Sequence, residues 1–279
     1  MLTMQLQNLA YPDGIYTVTR ITKDIYHIFE AAGVHSTLIV GTKKALLFDT
    51  GYGLGDLKKT VESITTLPLI IVNSHGHFDH VSGNYHFERA FIHKNDIDLN
   101  NDRILYTKRL KFIKETMLPK DILIPDDFEA FYPPTKKKVH FDYINEGDTF
   151  DLGGICLEVI YLPGHTMGCI ALYDRERKIL FGGDTISEHI WMFLPECAHM
   201  STLVASLHKI EKYDIDEIIA SHFPIPYKKE IIYRILNCID SIDISKSRYY
   251  EPRLYVDTSM ALDYTHSNGV TMVFDKDKL

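Results

Sequence analysis

An apolar run, Leu69-Ile70-Ile71-Val72, passes through Asn73 into Ser74-His75-Gly76-His77-Phe78-Asp79-His80, and no other stretch restricts the fold so tightly. The run is rich in β-branched residues, bounded by polar ones and too short for a helix, so it reads as a buried strand. Just past a strand end the backbone is still extended. Residues two apart then point the same way, so His75 and His77 reach one point. Asp79 and His80 face a neighbouring point as the chain turns into a short helix near Val81-Ser82-Gly83. Imidazole nitrogens with a carboxylate oxygen suit zinc, iron or manganese, and no thiolate is needed.

The flanking segments show where this junction sits. Upstream, Ile15–Val18, Ile25–Ile28, Ser36–Val40 and Ala45–Phe48 are short apolar runs with turn residues between them, the pattern of an antiparallel meander. The meander ends in Asp49-Thr50-Gly51-Tyr52-Gly53, where glycines allow positive φ. Leu54, Leu57, Val61 and Ile64 then share one face of a helix. This β-then-α alternation puts the histidine motif at the C-terminal end of a strand, where ligand sites gather in layered α/β folds.

Ala90–His93 is the next expected strand, and residues 94–138 differ in character. Tyr106, Leu110, Ile113 and Met117 form a helical stripe that Pro119 stops, and the aromatic, proline-rich stretch Phe128–Pro134 reads as a loop. This segment is an insertion with two readings, a cap over a pocket or a peripheral helix packed on the core. From Val139 onward strands return: Val139–Phe141, Cys156–Ile160, Cys169–Tyr173, Ile179–Phe181 and Ile218–Ala220. Met200, Leu203, Val204, Leu207 and Ile210 mark one helix. Pro226 is expected to open another, with Ile231, Ile235, Ile239 and Ile242 on one side. A hairpin turning near Asn268-Gly269 closes the pattern. No linker or low-complexity segment interrupts the chain, so one domain over residues 1–279 is expected.

Four places thus end a strand with a potential ligand: His75 to His80, His165, Asp184 and His222. In this order they resemble the metallo-β-lactamase-fold superfamily, whose pattern is H-x-H-x-D-H, a histidine in a P-G-H-T setting, an aspartate and a final histidine. Pro163-Gly164-His165-Thr166 and Asp49-Thr50-Gly51 match that pattern, and the likeness covers residues 36–223. The resemblance implies an α/β (α+β) architecture, a four-layer αβ/βα sandwich with two divalent metal ions, zinc first, with iron or manganese as alternatives. It implies that His75, His77 and His165 hold one ion, that Asp79, His80 and His222 hold the other, and that Asp184 bridges them. Two dications held close need a shared anion, which Asp184 and a hydroxide supply, and metal-bound water ionises near pH 7. Asp79 would both ligate and carry a proton to the leaving group. Asp49 has two readings: an acceptor orienting a ligand imidazole, or a turn-capping aspartate.

The expected activity is therefore a metal-dependent hydrolase whose metal-bound hydroxide cleaves a small carboxylic acid derivative, a thioester, ester or lactone, as in glyoxalase II-like and lactonase-like branches. The alternatives are a mononuclear iron persulfide dioxygenase and a phosphodiesterase or nuclease on the same scaffold. A net charge of −8 disfavours nucleic acid and anionic membranes. No apolar run is long enough to span a bilayer. The partner expected is a small-molecule substrate, with the insertion open to service as a homo-oligomer interface. Cys156, Cys169, Cys197 and Cys238 form no C-x-x-C pair, and Met1–Gln5 does not start a secretion signal, so a cytoplasmic protein with reduced thiols is expected. Cys169 reads as buried and inert. His35 and the run His189–Phe193 are candidates to line the substrate pocket.

Overall fold

The computed structural model describes residues 8–10, 14–99, 108, 111–118, 122, 139–251 and 257–279. They form two compact units, one of Met1–Ile144 with Thr149–Cys156, the other of Asn145–Asp148 with Leu157–Leu279.

The first unit is built on an eight-stranded sheet whose spatial order follows the chain. Its strands are β1 (Asn8–Ala10), β2 (Tyr16–Arg20), β3 (Ile25–Glu30), β4 (Val34–Val40), β5 (Ala45–Phe48), β6 (Leu69–Val72), β7 (Arg89–Ile92) and β8 (His140–Tyr143). The first five pair antiparallel, as the short turns between them dictate. From β5 to β8 the pairing is parallel, which demands crossovers. Helix α1 (Leu57–Glu62) makes the first and α2 (Phe78–Val81) lies in the second. The Asp56 carboxylate caps α1 by accepting the Lys59 N–H at 2.9 Å.

Alternation along β3 to β5 sends Ile28, Val34, Leu38 and Leu47 into one core with Leu57 and Val61 of α1 and Phe78 of α2. Each such side chain, nearly or fully buried, stabilises the unit by about 1.5–3 kcal/mol. Leu54 precedes α1 rather than joining it, yet its side chain is still buried. Strand β9 (Thr149–Asp151) and the turn after it return to this unit. The Leu152 carbonyl accepts Lys43 N–H at 2.9 Å and the Gly153 carbonyl accepts the Thr42 hydroxyl at 3.1 Å.

Of residues 94–138, expected as an insertion, Ile113–Met117 forms a wide, π-type helical turn, and Ile113 is buried in the same core. Tyr106, Leu110, Pro119 and the Phe128–Pro134 loop lie outside the described residues.

The second unit carries two sheets that both contribute to its main core. One contains β10 (Cys156–Tyr161), β11 (Ile170–Asp174), β12 (Ile179–Gly183), β14 (Glu217–Ala220) and β15 (Tyr227–Lys228). The other is ordered β13 (His189–Met192), β18 (Thr271–Asp275), β17 (Ala261–Thr265) and β16 (Arg248–Tyr249). Helices α3 (Met200–Ile210) and α4 (Glu230–Asp240) supply the rest of that core, with Leu203, Leu207, Ile231 and Ile235 packed against Leu180, Ile218, Met272 and Phe274.

The expected helix start at Pro226 is corrected here: Tyr227–Lys228 pairs with β14 and α4 begins at Glu230. Tertiary contacts of Tyr227 decide this. Its ring is buried and stacks on Phe223 at 4.5 Å, and its hydroxyl accepts the Glu188 N–H at 3.4 Å. Ile242 accordingly lies beyond the helix. Among the described residues, no helix is long and apolar enough to cross a membrane.

Candidate metal centre

In the first unit the donors sit where β6 leaves the sheet. Asp49, at the end of the parallel neighbour β5, adopts φ 66° and is fully buried. Its Oδ1 accepts the Ser74 N–H at 2.7 Å, and its Oδ2 accepts both the Ser74 hydroxyl at 2.7 Å and the His80 Nδ1–H at 2.8 Å. The single hydroxyl proton of Ser74 is committed to Asp49. Its oxygen therefore accepts His75 Nδ1–H, 2.9 Å away. One carboxylate thus sets the tautomer of two imidazoles, directly for His80 and through Ser74 for His75, and both present a bare Nε2. This is the orienting role for Asp49, beyond a turn cap.

His77 is extended and stands at the cap position of α2, so it points with His75, and their ring centroids are 4.7 Å apart. The His75 and His80 rings lie 4.0 Å apart. Asp79, in the first turn of α2, brings Oδ2 to 3.4 Å from His80 Nε2.

The backbone beneath is pinned as well. The His80 carbonyl accepts the Thr50 N–H at 2.9 Å and the Asn73 amide at 3.0 Å, and the Asn84 amide donates back to Asn73 at 2.8 Å. Gly83 lets this layer close, since a Cβ there would stand 2.1 Å from the Thr50 carbonyl oxygen. Glu30, buried at the end of β3, grips the loop after Thr50 by accepting the N–H groups of Tyr52 at 2.7 Å and Leu54 at 2.6 Å. Burial pushes its carboxyl up to about 7 despite those bonds, and the negative charge of Asp79 adds to the rise.

In the second unit the three donors come from three strand ends. Strands β12 and β14 run parallel, so the residues past their C-terminal ends lie side by side. Asp184 Oδ2 accordingly lies 3.2 Å from His222 Nε2. His165 follows β10 and donates its Nδ1–H to the Trp191 carbonyl at 2.7 Å, which leaves a bare Nε2 lying 3.6 Å from Asp184 Oδ2. The loop bearing His165 is fixed by Ser206, whose hydroxyl donates to the Pro163 carbonyl at 2.6 Å, and by Thr185, which donates to the Leu162 carbonyl at 3.2 Å. Cys169 is buried and accepts the Thr166 N–H at 3.3 Å, a structural contact.

These contacts test whether a cation fits. At His80–Asp79 and at His165–Asp184 the hydrogen-bonded Nδ1 makes Nε2 an acceptor, and it faces a carboxylate oxygen, another acceptor. Two acceptors held that close call for a proton or a cation between them. Imidazole Nε2 and carboxylate oxygen are also the donor set that borderline divalent ions prefer.

Five of the other histidines make contacts of their own. His27 and His35 stack at 4.1 Å, His208 pairs with Glu211, and His93 and His266 accept the N–H groups of Asn95 and Asn268. Sequence reasoning missed the structural roles of Ser74, Asn73, Glu30 and the Trp191 carbonyl. Ser74 and Asn73 lie beside the motif and could have been found; a backbone carbonyl leaves no mark in a sequence.

The family model of the metallo-beta-lactamase superfamily matches residues 30–222. The acyl-coenzyme A thioesterase MBLAC2 of Gallus gallus is 28% identical over 213 residues, covering 71% of this chain and 75% of its own. The hydroxyacylglutathione hydrolase GloC of Haemophilus influenzae is 26% identical over 148 residues, 52% of this chain and 62% of its own. Among solved structures, the metallo-beta-lactamase from Pontibacter korlensis superposes with a TM-score of 0.56 at 18% identity, covering 81% of this chain and 100% of that one. A ligand pattern carried on strand ends, a match over most of the chain and a shared fold lead to one conclusion: the chain belongs to the metallo-beta-lactamase superfamily.

Proposed function

We propose that this protein is a metal-dependent hydrolase of small carboxylic acid derivatives, thioesters first, with esters and lactones as chemically related substrates. The observation that carries the proposal is the pair of fixed imidazole Nε2 atoms facing carboxylate oxygens, His80 against Asp79 and His165 against Asp184. Two curated relatives act on thioesters by name, which supports that substrate class. His75, His77 and His165 hold one ion, Asp79, His80 and His222 hold the other, and Asp184 is shared.

Bound divalent metal, zinc ahead of iron or manganese, supplies Lewis acidity and water ionised near neutral pH. The chain's own residues do the rest. Asp49 and the Trp191 carbonyl hold the imidazoles in one tautomer, so no proton has to leave a ligand nitrogen before binding. Asp79, ligand and partly exposed, holds a proton and passes it to the departing thiolate. The four cysteines are free thiols, which fits a reducing compartment such as the cytoplasm.

Elemental analysis of the purified protein beside His80→Ala tests the proposal, together with a thioester and lactone panel. About two equivalents falling to about one, with thioester cleavage in the wild type, is the expected result. One equivalent of iron unaffected by the substitution, with oxygen consumed on a persulfide, would replace the hydrolase with an oxygenase.

A further inference from the structure

Strand β13 touches the candidate centre in two ways, both within the second unit. It is the edge strand of its sheet, and at that edge the Trp191 carbonyl receives the His165 Nδ1–H at 2.7 Å. Its side chains alternate: Ile190 and Met192 enter the core, so His189 and Trp191 occupy the opposite face. His189 is exposed there. Strand β13 therefore adjoins His165, one of the three donors of this unit.

That face is aromatic. The rings of Trp191 and Phe193 lie 5.4 Å apart, those of Trp191 and Tyr250 6.2 Å, and those of Phe193 and Tyr250 5.8 Å. The Trp191 indole N–H donates to the Tyr250 hydroxyl, so the one polar atom of the indole is paired. Their ring faces stay apolar, and both residues are half-buried, with surface left to cover. Val273 and Ala261, both buried, lie beneath the cluster. An array of aromatic faces whose indole N–H is already paired offers mainly hydrocarbon contact.

We propose that Trp191, Phe193 and Tyr250 form the acyl-side wall of the substrate site and select thioesters with an apolar acyl chain over short or hydroxylated ones. This rests on the hydrolase reading above. A chain lying on the wall, with its carbonyl towards His165 and His222, gains with each methylene covered, and the gain in kcat/KM is about fourfold per fully buried methylene.

Trp191 is the single tryptophan of the chain, which gives a readout independent of turnover. S-octyl-coenzyme A and S-ethyl-coenzyme A are thioethers that cannot be hydrolysed. The octyl compound is expected to shift and quench the tryptophan emission of the metal-loaded protein at concentrations at least tenfold lower than the ethyl compound (roughly one decade per pair of methylenes covered). In parallel, kcat/KM for acetyl, butyryl and octanoyl coenzyme A should rise along the series. Tyr250→Ala should flatten the rise by lowering the octanoyl value about tenfold more than the acetyl value. Tyr250→Phe, which keeps the ring and loses only the hydroxyl, should restore the slope, and it also guards against a Tyr250→Ala variant that misfolds. Equal binding of the two thioethers, or a Tyr250→Ala effect uniform across chain length, would overturn the wall. Preferential octyl binding with no thioester hydrolysed would keep the wall and overturn the hydrolase reading.

Discussion

In the first unit four donors fall within six consecutive residues, His75 to His80, and a single buried carboxylate, Asp49, orients two of them. In the second unit the three donors stand at the ends of β10, β12 and β14, and their approach depends on strand register and on a backbone carbonyl borrowed from β13. One half is specified locally and braced by side chains. The other is specified by topology and braced by main chain. The difference predicts where each half is fragile: the first to substitution of a few side chains, the second to disturbance of packing far from the donors.

The largest expected effect tests Asp184, the donor proposed to serve both ions. Asp184→Ala should lower thioester hydrolysis by more than about 100-fold, beyond the loss typical of contacts outside the ligand set, and should cost both metal equivalents with little change in far-UV circular dichroism. Retention of one tightly held equivalent would show that the first unit's half binds metal by itself, and would sharpen the contrast.

Asp49→Ala comes next. It should weaken metal binding about 10–100-fold in a chelator competition, since the His80 and His75 tautomers are no longer fixed. It also leaves the buried Ser74 N–H without its acceptor, at about 1–3 kcal/mol, readable in urea unfolding. In the second unit the brace on His165 Nδ1 is the Trp191 carbonyl, a main-chain group that a side-chain substitution does not delete.

A pH measurement probes the brace beneath the first half. The Glu30 carboxyl titrates near 7 in the folded protein against 4.5 as a free group, so the native state keeps a proton that the unfolded chain has released. The stability this proton gives is complete below pH 4.5 and is lost as pH rises through about 7, a change of up to about 3 kcal/mol. Glu30→Gln should remove that slope, so its Tm relative to wild type should climb across the window. A parallel fall in both proteins would place the titration elsewhere. The smallest effect belongs to the second half. Ser206→Ala removes the hydroxyl that holds the Pro163 carbonyl and should cost about 0.5–1.5 kcal/mol in thermal unfolding, with metal stoichiometry intact.

The same contrast explains what the sequence made legible. The His75–His80 motif, the strand before it and the α3 stripe carry their information in adjacent or helically spaced residues, and each lies where periodicity puts it. Residues 94–138 were expected as an insertion, and the described turn Ile113–Met117 buries Ile113 in the first unit's core. The error at Pro226 arose because proline's local preference was outweighed by the burial of Tyr227 beside β14. Strand β13 escaped notice as a strand, since His189-Ile190-Trp191-Met192 gains its partner only from β18, near the other end of the unit's sequence. Asp49 was ambiguous because its two readings differ only in which distant N–H groups it receives.

That late partner also sets an order of events. Trp191 can offer its carbonyl to His165 only when β13 has a sheet to belong to, and the strand that completes it, Thr271–Asp275, is translated after every donor residue. The Lys278 ammonium then ties down the chain that leaves β13, donating to the Leu194, Pro195 and Cys197 carbonyls. On the ribosome, the His75–His80 cluster can form early, while the brace on His165 waits for β18 to emerge. The two groups of candidate donors are therefore completed at different stages of synthesis.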